Sequence, residues 1–105
     1  MRYLVFPLVL VGLVACGGHR ITLRGVSDVE CTWVVDGITT VRDYGGSFDK
    51  ELGAESDMWF SVTCVKTEAG DEGEITLTHW KGGKVVTTDS TSDELGTVVV
   101  NGFPD

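Results

Sequence analysis

Basic residues are scarce in this 105-residue chain: eight Lys and Arg stand against sixteen Asp and Glu, a formal net charge of −8. Nucleic-acid binding asks for a basic patch, so the balance argues against it, and it argues against electrostatic docking onto anionic lipid as well. The acids are spread along the chain, which fits solubility and spacing from neighbours. Histidine is nearly missing; only His19 and His79 occur. A zinc site wants about four ligands at motif spacing, and neither CxxC nor a histidine pair is present, so no metal site is expected. No G-x-S-x-G turn, P-loop or dinucleotide fingerprint appears, and no Ser/His/Asp order stands out, so no catalytic residue is assigned and an enzyme is not expected. From Gly17 onward no window repeats apolar residues at i, i+3, i+4 and i+7, so helices are not expected. A long apolar run is lacking too. The longest, Tyr3 to Val14, covers about 18 Å as a helix against a hydrocarbon core of about 30 Å, too short for a stable membrane span.

What is present begins with that run. Arg2 gives a short positive start, the apolar centre follows, and small residues close it, the pattern of a secretory signal peptide over residues 1–15. Pro7 would interrupt a strand ladder, which argues against a buried first strand. Leu13-Val14-Ala15-Cys16 resembles the bacterial lipobox: an aliphatic residue, a small or aliphatic one, a small one, then cysteine. The resemblance implies a diacylglyceryl thioether on Cys16 and cleavage between Ala15 and Cys16. Small residues let an extended backbone enter a protease, and a thiolate is readily alkylated. Each buried CH₂ adds about 0.8 kcal/mol of membrane affinity. The covalent lipid on Cys16 is the only added group expected; no cofactor is. Residues 16–19 would be a lipidated cysteine and short tether, and residues 20–105 one small domain held close to the bilayer. The resemblance places the protein in a bacterial cell envelope, exported to the periplasmic or extracellular side. Gly17, not aspartate, after the cysteine is compatible with an outer membrane where there is one.

Three cysteines is an odd count for an exported chain. With Cys16 lipidated, Cys31 and Cys64 remain, and an oxidising compartment usually joins such a pair. Strand phase supports the bond. Val29, Cys31, Trp33 and Val35 alternate with Glu30, Thr32, Val34 and Asp36, and Met58, Phe60, Val62 and Cys64 alternate with Asp57, Trp59, Ser61 and Thr63, so both cysteines fall on the more apolar, inward face. The expectation is a disulfide across the core; two buried free thiols are the alternative.

Alternation recurs along the domain, with strands expected at 20–27, 29–36, 39–44, 47–52, 58–66, 74–80, 84–89 and 97–101. Asp36-Gly37, Gly45-Gly46, the acidic Glu68–Glu74 stretch and Gly82-Gly83 mark turns, the last the clearest hairpin. Many short strands with glycine-rich turns predict an all-β sandwich, with a small barrel as alternative. From about Ser47 to Gly102, the order of Trp59-Phe60, an acidic turn, Gly73 to Trp80, Gly82 to Val86 and a Val-Val-Val-Asn-Gly end is similar to immunoglobulin-like exported domains. Among them are the C-terminal domains of small mycobacterial membrane proteins that assist lipid exporters. Those relatives use a transmembrane helix where this chain has a lipobox. Trp33 also follows Cys31 too closely for the antibody-type core tryptophan.

Function is read as a non-catalytic binding or scaffolding module for an envelope protein or glycan. The alternative is a carbohydrate- or ligand-binding module that uses Trp59 and Trp80, both on the phase opposite Phe60 and Leu77, as an aromatic platform. An accessory subunit of an envelope transporter, or an envelope enzyme, ranks below these. The acidic stretches Glu68–Glu74 and Asp49–Asp57 lack the D-x-[DN]-x-[DN]-G calcium pattern and read as solvated turns.

Overall fold

The strand chemistry is realised along most of the chain. The structure is a computed structural model that describes residues 18–53 and 59–102; the apolar leader, Ala15, Cys16, Gly17 and Met58 lie outside them. Eight strands follow one another: β1 (His19–Arg24), β2 (Val29–Val35), β3 (Ile38–Tyr44), β4 (Phe48–Gly53), β5 (Phe60–Lys66), β6 (Ile75–Lys81), β7 (Lys84–Thr91) and β8 (Thr97–Gly102). They form two four-stranded sheets, ordered β4-β1-β6-β7 and β3-β2-β5-β8, every pairing antiparallel. The expected sandwich forms, not the barrel. The chain changes sheet five times, at β1/β2, β3/β4, β4/β5, β5/β6 and β7/β8, and the central pair β1–β6 faces the central pair β2–β5.

Alternation decides what each sheet contributes to the core. Ile21 and Leu23 of β1 and Ile75 and Leu77 of β6 face Val29, Cys31 and Trp33 of β2, Phe60, Val62 and Cys64 of β5, and Val98 and Val100 of β8. A fully buried side chain of this size contributes roughly 1.5–3 kcal/mol. Trp33 sits inward as its phase predicts, and its ring packs on Phe48 and Tyr44, which close the flank between β3 and β4. At the other end of the chain, β8 passes so close under Phe60 that a side-chain carbon at Gly102 would overlap the ring.

Two turns follow the sequence cues. Gly82 and Gly83 have φ of 59° and 82°, and Asp36 and Gly37 have 51° and 82°. Positive φ at both central residues is the primed turn that matches strand twist, so both sites make two-residue hairpins. β1 ends at Arg24, not at residue 27. There the Ser47 hydroxyl accepts from the Gly25 N–H and donates to the Gly25 carbonyl, and the chain leaves the ladder.

Cys31 and Cys64 are bonded, with Cα atoms 4.0 Å apart. The bond does not cross the core, however. β2 and β5 are neighbours in one sheet and the two cysteines are direct register partners. The disulfide therefore staples adjacent strands on the inner face of a single sheet, whereas the antibody-type bond joins two sheets. Phase shows only that two residues face the same side; it does not show which strands are adjacent.

Candidate functional site

The end of the sandwich where the chain enters carries its most unusual chemistry. β1 and β6 pair so that His19 and His79, 60 residues apart, are inward-facing diagonal neighbours. His19 continues the phase of Ile21 and Leu23, and His79 that of Ile75 and Leu77. Both rings are buried, at 3 % exposure each. His19 Nδ1 and His79 Nε2 lie 2.9 Å apart, so one of them carries the proton and the other accepts it. The rings stack with centroids 5.2 Å apart, and Phe60 meets both edge-on. The outer nitrogens, His19 Nε2 and His79 Nδ1, are buried without a partner. Burial first, then the neighbouring His19 and Lys81 charges, lower the His79 pKa to about 4, so the ring is neutral near pH 7. The sequence shows two isolated histidines; their shared inward phase was the available signal, and the β1–β6 pairing was the missing fact.

The end frame is tied to the chain's entry. The Gly82 N–H, in the β6–β7 hairpin, donates to the Gly18 carbonyl at 3.2 Å.

The opposite end is acidic and built around one cation. Lys66 continues the inward phase of Phe60, Val62 and Cys64 and is 0 % exposed. Its Nζ donates to the carbonyls of Asp71 and Gly73, at 2.6 Å each, and lies 3.7 Å from Asp71 Oδ1. The Gly73 N–H donates to Asp71 Oδ1 at 2.8 Å. That bond, with Ser27 and then Lys66, holds the Asp71 carboxyl below its ordinary pKa. The glutamates of the Glu68–Glu74 turn are exposed as expected, while Asp71 and the Gly73 carbonyl turn inward onto the buried Lys66 ammonium. Beside it a cleft of about 340 Å³ is lined by Asp28, Val29, Asp43, Tyr44, Gly45 and Thr67. Both histidines lie at the other end of the strands, so the cleft has carboxylates and hydroxyls but no imidazole. Among the described residues no three His, Cys, Asp or Glu gather where they could hold a metal ion.

Trp59 and Trp80 are not brought together. Trp59 leads into β5 of one sheet, is 38 % exposed, and its carbonyl accepts from the Asp36 N–H. Trp80 lies on β6 of the other sheet, half-buried, with its indole N–H donating to Thr22 Oγ1 at 2.9 Å. They stand on the phase opposite buried Phe60 and buried His79, so they belong to outer faces of different sheets, and no ring contact joins them. Around Trp80 the outer face is a hydroxyl ladder, with Thr78 paired to Thr88 and Thr76 to Ser90, while Arg20 reaches Asp49 and Glu51. The outer face of the other sheet is largely Val, Thr and Ser.

Compared with known proteins, the chain matches no family model, no curated protein and no solved structure.

Proposed function

We propose that this chain is an exported bacterial lipoprotein, cut between Ala15 and Cys16 and acylated on Cys16, whose sandwich serves as a non-catalytic binding or scaffolding module at an envelope membrane. One observation carries the reading. The Cys31–Cys64 bond accounts for two of the three cysteines. Cys16 is left over, and it stands at the end of the apolar run in Leu13-Val14-Ala15-Cys16. A disulfide fits an oxidising compartment, and export through a signal segment delivers the chain to one. Only Gly17 and Gly18 lie between Cys16 and His19, a reach of at most about 11 Å over three steps. The His19–His79 end would then face the bilayer and the acidic Lys66 end would face away.

Replacement of the thiol tests this. Cys16→Ser should accumulate as a precursor that retains residues 1–15 and takes up no radiolabelled palmitate, while the unsubstituted chain is labelled and shortened. Equal labelling of both chains would refute the assignment of the lipid to Cys16.

A further inference from the structure

We propose that the free edge of β3 is the seam of a homodimer, in which β3 pairs antiparallel with β3 of a second copy and joins two four-stranded sheets into one of eight. An exposed edge presents unpaired N–H and C=O groups, and proteins blunt such edges with bulges, charges or cover. Three of the four edges here are blunted. β4 carries an extra residue, Leu52, because His19 pairs with Gly53 and Arg20 with Glu51, and it presents Asp49, Lys50 and Glu51 in a row. β7 carries an extra residue, Val86, because His79 pairs with Thr87 and Trp80 with Val85. On β8 the Val99 N–H is taken at 2.9 Å by the Asp89 carboxylate of β7.

β3 carries two exposed charges, Arg42 and Asp43, but it has no bulge. All seven of its residues are in unbroken register with β2. It holds no proline or lysine, and Ile38 and Val41 are 71 % and 55 % exposed. The turn fixes which backbone groups are free. Val35 and Ile38 flank the two-residue Asp36-Gly37 hairpin and exchange hydrogen bonds; alternation then leaves the N–H and C=O of Thr39, Val41 and Asp43 pointing away from β2.

The strand is complementary to itself, and this selects a second copy as the occupant. With Val41 opposite Val41 of the second copy, all seven residues overlap. Ile38 then meets Tyr44, Thr39 meets Asp43 and Thr40 meets Arg42. No like charges oppose, the centre is a β-branched pair, and an aliphatic–aromatic pair closes each end, contacts that stabilise antiparallel sheets. The outward groups of Thr39, Val41 and Asp43 supply about six inter-strand hydrogen bonds. A shift of two residues in one direction sets Arg42 against Arg42, so the full overlap is also favoured by charge. The proposal does not depend on the lipid.

Val41→Cys tests it in the full chain, in unfractionated producing cells, with a short bis-maleimide as the probe. The seam sets the two thiols on Cα atoms about 5.5 Å apart, so a crosslinked dimer is expected above the level of the unsubstituted chain. Adding Thr39→Pro removes an N–H that points into the seam and not into β2. It should abolish the dimer while the Cys31–Cys64 bond still forms. Val99→Cys, on the outer face of β8, should give no dimer. Absence of the dimer at position 41, an equal yield at position 99, or a dimer that survives Thr39→Pro would each overturn the proposal. The first of these is also the result expected if β3 accepts an extended segment of a different protein.

Discussion

Lowering the pH from 7.5 to 5 should destabilise the fold through His79. In the unfolded chain an imidazole titrates near 6.5; in the fold, burial and then the charges of His19 and Lys81 bring His79 to about 4. Below pH 6.5 the unfolded chain binds a proton that the folded chain refuses until about pH 4. Stability therefore rises with pH across that window, is complete above it, and is lost as the pH falls through it. At about 1.4 kcal/mol per pKa unit, the full effect is about 3 kcal/mol below pH 4 and about 2 kcal/mol by pH 5. Relaxation of the sandwich end around the protonated ring takes back part of it, so a loss of about 1–2 kcal/mol is expected by pH 5. Asp71 does not obscure the window: with its lowered pKa it loses its contribution only as the pH falls through the acid range below the ordinary carboxylate value. Urea midpoints of the non-reduced protein read the change. With a slope near 1 kcal/mol per molar for a domain of this size, the midpoint should fall by about 1–2 M. His79→Leu removes this ring and should lose less stability over the same range. A flat midpoint in the unsubstituted chain, or the same acid loss in His79→Leu, would refute the reasoning.

Replacing Cys31 and Cys64 together by Ala opens a loop of 33 residues; the chain-entropy relation gives a loss of about 4 kcal/mol, read as a lower urea midpoint. Lys66→Met keeps the buried stem but leaves the Asp71 and Gly73 carbonyls unpaired. A loss of about 2–4 kcal/mol is expected, with faster proteolysis within residues 67–74, and an unchanged midpoint would show that the ammonium is dispensable.

How much of this was legible in the sequence depends on the kind of fact. Facts local to a strand were readable. Alternation located all eight strands, placed Trp33 inside, and put Cys31 and Cys64 on the same face. Facts about which strand lies beside which were not. The disulfide was expected across the core, yet it lies within one sheet because β2 and β5 are neighbours. His19 and His79 looked solitary because β1–β6 pairing is set by the whole fold. Lys66 lay within reach of the same reading: continuing the Phe60, Val62, Cys64 phase by one step turns it inward, and a buried lysine demands carbonyl or carboxylate partners. The Trp59–Trp80 platform followed from phase alone and missed that opposite sheets present opposite outer faces.

The account rests on three cysteines with two fates, and the mass of the intact protein extracted from membranes reads both at once. The prediction is a chain that begins at Cys16, heavier than its sequence by a diacylglyceryl group, with two hydrogens fewer for the Cys31–Cys64 bond. A chain that still begins at Met1, or that carries a free, unmodified Cys16 thiol, would contradict it.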